Sequence, residues 1–406
     1  MLRTRIALRT ADAACLTEPN RPGSEIRQLA AFWPLSGLAL SQVGAGLPPA
    51  AYAHYRDRLV LSDEQVTALF AFLIMGVMLV LWLCRLSLAG TRRGPALAAA
   101  LALAAAADLL FISGNSYLSL AVASGLLGCS VGGLCALAPG VITAVMPGGD
   151  RASSWVTAAN AAGLAAGPVI AGAVNQLLPL PYVLVYAAHA LVCLIVAAAL
   201  VRAPPGSAVV RRRGTASLRS QPGYQGALLR GYLAFAVGGL ISSLAAVLAK
   251  DEFGLTSSAV TGSLIAAFFT ANALVGGLVI AGLPARAGLI GRTFLVLGLA
   301  ISVLAVATKS PPLLIAAIML AGGGQGCLIG VGILTAARVD GATGGNTAVA
   351  VFFLWCYAGA VTAAITVGLV SSATSPGHAF LLELAVIIAS LLVVDLLDSR
   401  RGAADA

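Results

Sequence analysis

Twelve separate stretches of this chain, each about 20 residues long, run on apolar residues with almost no charge. In lipid such a stretch has one stable solution. A helix satisfies all of its own backbone hydrogen bonds, and about 20 residues of it cross the ~30 Å hydrocarbon layer. The stretches lie near residues 29–51, 64–86, 95–113, 117–145, 153–176, 181–202, 228–249, 258–281, 289–307, 312–336, 346–371 and 377–397. Composition points the same way: 59% of the 406 residues are hydrophobic and only 10% are charged. A soluble domain carries roughly 25% charged residues. The expected fold is an all-α polytopic membrane protein of twelve transmembrane helices. The fourth stretch exceeds what a crossing needs, so it is expected to tilt or to project beyond the bilayer.

The basic residues orient these spans. With both termini cytoplasmic, Arg56, Arg58, Lys250 and Lys309 fall outside and the other 20 of the 24 basic residues fall inside. That asymmetry is what the positive-inside rule requires. The net charge of +9 is therefore a topology signal, and no nucleic-acid partner is expected. The expected location is the cell (inner or plasma) membrane, multi-pass, with membrane lipid as the surrounding partner and a single copy as the working unit. The Arg-rich segment MLRTRIALRTADAACLTEPNRPGSEIR lacks an apolar core, so it reads as a cytoplasmic tail and not as a secretory signal. The seven cysteines are scattered without a Cys-x-x-Cys pair, and the three histidines lack metal-ligand spacing. No metal site and no cofactor are expected, and six of the cysteines read as small packing residues inside spans.

The stretch RAPPGSAVVRRRGTASLRSQPGYQG, 202–226, has linker chemistry and divides the spans six and six. The expected organisation is a tail over 1–28, a six-helix bundle over 29–202, a cytoplasmic linker over 203–227, a second bundle over 228–398 and a tail over 399–406. The halves resemble each other at an offset of 194 residues. RDRLVLSDEQVT (56–67) lies over KDEFGLTSSAVT (250–261), matching Asp57 to Asp251, Leu61 to Leu255, Val66 to Val260 and Thr67 to Thr261. Ser62 and Thr256 align there as expected N-caps of spans 2 and 8. The same offset carries Val43-Gly44 onto Val237-Gly238, and Arg92 and Gly94 onto Arg286 and Gly288. With four residues inserted, Gly128-Cys129 and Gly132 meet Gly326-Cys327 and Gly330. Repeats of this kind are a mark of secondary transporters, whose substrate site lies between the repeats near the bilayer midplane.

Inside span 5 stands GLAAGPVIAG, with Gly163, Gly167, Pro168, Ala171 and Gly172. Glycine lets a neighbouring backbone approach closely in lipid, and proline removes one helical hydrogen bond and bends the helix. The pattern resembles the fifth-helix signature Gly-x-x-x-Gly-Pro-x-x-Gly-Gly of the major facilitator superfamily, with Ala171 replacing one glycine. The six-plus-six plan resembles that family over nearly the whole chain, particularly its drug:proton exporter branch. The resemblance implies the family's twelve-helix fold in two pseudo-symmetric halves, export, and proton antiport. The family's cytoplasmic loop element is matched by Gly90, Arg92 and Arg93, and in the second half by Arg286 and Gly288. Its acidic positions fall at Ser87 and Ala285, which departs from the family's latch. The antiporters' fourth-helix arginine falls at Ser124, and the tenth-helix counterpart keeps Gln325-Gly326 without an arginine.

No catalytic constellation and no phosphate-binding loop are present, so the chain does not read as an enzyme or an ATP-driven pump. Three ionisable side chains lie well inside spans: Asp108, His189 and Glu383. Such groups are costly in lipid and mark function by default. Asp108 and Glu383 are candidates for proton coupling; the alternative for Asp108 is a buried structural hydrogen bond and for Glu383 a side chain that reaches the interface, while His189 reads as a packed, neutral side chain. By the resemblance, helices 1, 4, 7 and 10 line the central cavity and helices 3, 6 and 12 lie outside it. Candidate cavity residues are Ser41 and Gln42, Asn160, Ser242, Asn272, Gln325, and Trp355 and Tyr357 of the aromatic run FFLWCY. No lysine or arginine stands at mid-membrane depth in spans 1, 4, 7 or 10, which disfavours anionic substrates. The leading expectation is a small-molecule exporter for lipophilic or neutral-to-cationic compounds, working by alternating access with proton exchange. An uptake facilitator for a neutral metabolite and a non-transporting membrane scaffold or sensor are the alternatives.

Overall fold

The structure, a computed structural model, describes residues 22–87, 93–146, 149–178, 180, 182–202, 223–343 and 347–404. Each of the twelve expected spans falls on one helix: α1 (Pro22–Leu59), α2 (Asp63–Ser87), α3 (Arg93–Ser113), α4 (Tyr117–Val145), α5 (Gly149–Leu177), α6 (Val183–Arg202), α7 (Tyr224–Phe253), α8 (Ser258–Gly282), α9 (Ala287–Thr308), α10 (Pro311–Thr343), α11 (Thr347–Ala373) and α12 (Pro376–Ala404). A short 3₁₀ turn, Pro284–Arg286, precedes α9. Ten of these helices are long and apolar enough to cross a membrane. The other two, α1 and α5, interrupt their apolar runs with glycine, proline and amide side chains.

The two halves pack on one plan. α1 packs on α4 and α5 as α7 packs on α10 and α11; α2 packs on α4 as α8 packs on α10; α3 packs on α4 and α6 as α9 packs on α10 and α12. Between the halves, α2 meets α11 and α5 meets α8. Lipid tails are as apolar as leucine, so tight helix contact here comes from small residues and van der Waals fit. Gly128 and Gly326 illustrate it at matched positions. A Cβ on Gly128 would run into the Leu73 carbonyl of α2, and one on Gly326 into the Asn272 carbonyl of α8. These two glycines set the α2–α4 and α8–α10 spacing.

For description, the end of the molecule where α6 leaves and α7 begins is the linker end, and the opposite end is the far end. At the far end, the matched loops share their backbone form as well as their sequence. α1 ends on Val60 with φ 53° and α7 on Gly254 with φ 64°. The Leu61 N–H returns to the Arg56 carbonyl at 3.0 Å, and its counterpart, the Leu255 N–H, returns to the Ala249 carbonyl at 2.9 Å. Ser62 caps α2 as expected, in a reciprocal capping box: its hydroxyl accepts from the Gln65 N–H at 3.3 Å, and Gln65 Oε1 accepts from the Ser62 N–H at 3.0 Å. The expectation of Thr256 as the cap of α8 is corrected by one residue. Ser257 accepts from the Val260 N–H at 3.3 Å, and the same hydroxyl donates to Gln176 at the end of α5. A second partner across the interface fixes the choice.

Candidate functional site

Four helices converge on one polar and aromatic cluster. Gln42 of α1 donates from Nε2 to the Cys135 sulfur of α4 at 3.2 Å. Tyr357 of α11 lies within electrostatic reach of the Cys135 thiol. Its ring meets Phe235 of α7 edge-on at 5.3 Å, and Phe353 meets Phe235 at 6.4 Å. The cluster thus offers one amide, one thiol and one phenol among ring edges, with contributions from both halves.

The other expected cavity residues are placed differently. Ser41 is fully buried and its hydroxyl turns back to the Leu38 carbonyl at 2.8 Å, which spends its hydrogen bond within α1. Ser242 is buried and its Oγ has no partner within the protein. Gln325 of α10 is buried against α7, with its Nε2 2.9 Å from where a Cβ on Gly238 would stand, and its Oε1 has no partner. Asn160 and Asn272 are half-buried on α5 and α8. Trp355 is 45% exposed and faces away from the central cluster. It lines a crevice of about 620 Å³ between α2 and α11, with Met75, Met78, Leu79, Trp82, Leu354 and Ala358. These residues belong to the linker-end halves of both helices, and the contact of Thr67 with Gly368 joins α2 and α11 nearer the far end.

The fifth-helix signature faces two neighbours. A Cβ on Gly163 would meet the Ala39 carbonyl and Gln42 Cβ (2.6 Å), and one on Gly167 would meet the Val43 carbonyl, so both glycines hold α1 close. A Cβ on Gly172 would lie 2.5 Å from the Ser258 carbonyl, and one on Gly262 would meet the Pro168 carbonyl, so Pro168 and Gly172 hold α8. Ala171 is buried beside them. The signature therefore packs α5 against the helix carrying Gln42 and against the opposite half at once. Of the loop residues, Gly90 and Arg92 lie outside the described residues. Arg93 rests its guanidinium against Gly140 of α4, Arg286 is exposed in the 3₁₀ turn, and the Gly288 carbonyl accepts from Arg292 Nε at 3.2 Å.

The intramembrane acids sit away from the central cluster. Asp108 of α3 is fully buried and its Oδ2 lies 2.7 Å from Nδ1 of His189 on α6; His189 Nε2 lies 3.0 Å from the Leu40 carbonyl of α1. Glu383 of α12 accepts from Thr366 of α11 at 2.9 Å and is half-buried.

The far end is sealed by charge. Arg56 grips both carboxylate oxygens of Asp251 at 2.7 Å each and reaches Asp63 at 3.1 Å. Lys250 pairs with Asp57, and Asp63 also takes the hydroxyl of Ser371 on α11. The hydrogen bonds to Asp251, then its charge, raise the Arg56 guanidinium above its ordinary pKa, so it stays charged at every working pH. Arg56-Asp57 and Lys250-Asp251 are matched dipeptides of the internal repeat. The pseudo-two-fold relation turns them into reciprocal pairs, each base bonding the acid of the other half.

The sequence matches the Major Facilitator Superfamily over residues 35–364. The chain belongs to this family. It is a secondary transporter that works by alternating access, not an enzyme. No curated protein sequence is a significant match. Among solved structures, this major facilitator is similar to a bacterial homologue of the human lysosomal transporter Spinster. In that protein's inward-facing and occupied conformation the TM-score is 0.75 at 15% identity, over 94% of this chain and 98% of the other. In its inward-facing and unoccupied conformation the TM-score is 0.70 at 15% identity, with the same coverage. At that identity the likeness speaks to fold alone.

Sequence reasoning missed three parts of this facilitator. Cys135 reads as a packing residue, yet it accepts from Gln42. His189 reads as packed and neutral, yet it is the partner of Asp108. The cross-half pairing of Arg56 and Lys250 lies in the repeat itself, since a two-fold relation between matched basic–acidic dipeptides implies exchange.

Proposed function

We propose that this major facilitator exports small lipophilic or neutral-to-cationic compounds in exchange for protons, with the far end facing outside and the linker end facing the cytoplasm. The observation that carries the reading is the cluster of Gln42, Cys135, Phe235, Phe353 and Tyr357. It holds aromatic edges and neutral polar atoms and no ionised side chain. A pocket of this chemistry suits a flat or bulky apolar molecule with one or two polar groups. A phosphate ester or dicarboxylate would instead need a buried cationic partner. The apolar crevice between α2 and α11 supports the lipophilic part of the reading, and the fifth-helix signature supports export. The excess of basic residues at the linker end supports the orientation. Asp108 is the coupling residue in this reading, and Glu383 is held by Thr366.

The test is transport by purified protein in liposomes with an imposed pH gradient, against a panel of lipophilic cations, neutral compounds, phosphate esters and dicarboxylates. Gradient-driven movement of cations and neutrals is expected. Preferential movement of the anions, or no movement of any compound, would overturn the reading. Accumulation of a neutral nutrient by expressing cells, without extrusion of the panel, would replace it with an uptake facilitator.

A further inference from the structure

We propose that His189 and Asp108 together form one proton-binding site buried inside the N-terminal half, and that α1 reads its charge state through the Leu40 carbonyl. The proposal rests on the proton-coupled reading above and deepens it. The donor and acceptor count at the site is decisive. A backbone carbonyl only accepts, so His189 Nε2, 3.0 Å from the Leu40 oxygen, carries a hydrogen. Nδ1 stands 2.7 Å from Asp108 Oδ2, and two lone pairs do not approach that closely. A second hydrogen therefore lies between Nδ1 and Oδ2. The pair thus holds one proton more than a neutral imidazole beside a carboxylate, and its net charge is zero.

Loss of that proton forces a rearrangement. The Nε2–H bond breaks, its electron pair stays on Nε2, and the proton passes to water. The remaining hydrogen stays on Nδ1, donating to the carboxylate, and the pair goes from net zero to −1. Nε2 then presents a lone pair to the Leu40 carbonyl, and the attraction between α6 and α1 becomes a repulsion. A replacement donor is already in place: the Cys193 sulfur, one turn along α6, lies 3.6 Å from Nε2. The imidazole thus has two discrete bonding states. One bonds α1, and the other takes the Cys193 thiol and releases α1. A glycine makes the contact possible, because a Cβ on Gly44 would stand 2.7 Å from His189 Cε1. Leu40 precedes Ser41 and Gln42, so the released segment of α1 is the one that donates to Cys135 in the central cluster.

The surroundings favour a single proton site. α3 contributes Asp108, whose Oδ1 is buried without a partner. α6 contributes Cys193 and Tyr186, and α1 contributes Tyr52 and Tyr55; the phenols of Tyr55 and Tyr186 face each other, and that of Tyr52 is buried without a partner. Arg58 of α1 acts on Tyr55, and α4 presents Leu127, an apolar side chain. Among these side-chain types, imidazole is the one whose unperturbed titration falls between about pH 5 and pH 8.

Three histidines make the test direct. Protein with ¹⁵N-labelled histidine in lipid nanodiscs is titrated from about pH 5 to about pH 9 by NMR, bracketing the unperturbed imidazole. His189→Gln assigns the signal. We expect His189 to carry hydrogen on both nitrogens at the low end and to lose the Nε2 hydrogen in one step, a step shifted or abolished in Asp108→Asn. A single-hydrogen tautomer throughout, both hydrogens retained throughout, or an identical titration in Asp108→Asn, would overturn the proposal. In liposomes, with tetraphenylphosphonium as probe, His189→Gln and Asp108→Asn are expected to lose gradient-driven transport and to keep downhill exchange. Retained gradient dependence in both variants would overturn the site while leaving proton coupling intact. A parent protein indifferent to the gradient, with the NMR step present, would support the site and overturn the coupling.

Discussion

Arg56 ties four helices together at the far end, and its removal should favour opening there. The guanidinium of α1 holds Asp251 of α7 through both oxygens and Asp63 of α2, which holds Ser371 of α11. Its side chain is 15% exposed and that of Asp251 33%. Exposed ion pairs contribute roughly 0.2–1 kcal/mol, and breaking a buried one costs roughly 3–5 kcal/mol. A bidentate pair at this intermediate depth should contribute about 1–2 kcal/mol to the closed far end, bracketed by those two limits. Because about 1.4 kcal/mol is a factor of ten in an equilibrium, Arg56→Gln should move the open-to-closed ratio about 5- to 30-fold. The reciprocal pair is weaker. Lys250 and Asp57 are 30% and 51% exposed, so Lys250→Gln should move the ratio by no more than about fivefold.

The assay is the distance distribution between spin labels at Leu178→Cys and Ala373→Cys, exposed positions past the far end of α5 and at the end of α11. The reactive native cysteines are replaced in the background. The population at long distance should grow in the order parent, Lys250→Gln, Arg56→Gln, and the growth in the parent should increase with salt. An equal effect of the two substitutions would refute the burial argument, and no effect of Arg56→Gln would refute the seal.

Gly262→Leu should overpack the α5–α8 contact, where even a Cβ meets the Pro168 carbonyl. The expected loss is about 1–3 kcal/mol from the closed far end, read as a lower melting temperature and a larger long-distance population. Val60→Gly should relieve a β-branched residue at φ 53° and stabilise the protein by about 1 kcal/mol, measured by thermal unfolding in detergent. Gln42→Leu should remove the bond to Cys135 and weaken substrates that carry a polar group several-fold, as expected for about 0.5–1.5 kcal/mol per buried hydrogen bond, while expression and far-end closure stay unchanged.

The spans were legible because lipid leaves the backbone so few options. Twenty apolar residues in a row predict a helix wherever the rest of the chain goes. The repeat was legible for a related reason: Gly128 and Gly326, or Val60 and Gly254, occupy matched positions because each half solves the same packing and turning problem. The site was less legible because it depends on which helix faces converge. Gln42 and Cys135 are 93 residues apart, and Asp108 and His189 are 81 apart. No local spacing signals either pair. One physical signal was available for the second. A charge inside a membrane needs a partner, and with only three ionisable groups well inside the spans, Asp108 had a short list to choose from. No such scarcity argument singles out Cys135 among seven cysteines.

The matched glycines Gly44 and Gly238 show how one repeated plan can divide the work. Each leaves a gap in the central helix of its half, at the same place in the repeat. In α1 the gap admits the imidazole of His189, 2.7 Å from the absent Cβ; in α7 it admits the amide of Gln325, 2.9 Å away. The first occupant can take up or lose a proton, and the second can only rotate its donors and acceptors. In the proposed coupling the N-terminal half therefore carries the charge change, while the C-terminal half offers neutral polarity at the equivalent place. The far end has a similar asymmetry, a bidentate arginine pair on one side of the pseudo-axis and a more exposed lysine pair on the other. Under that proposal, sequence divergence between the halves falls where driving ion and cargo are told apart. The helix contacts that let the halves move as rigid units keep their glycines.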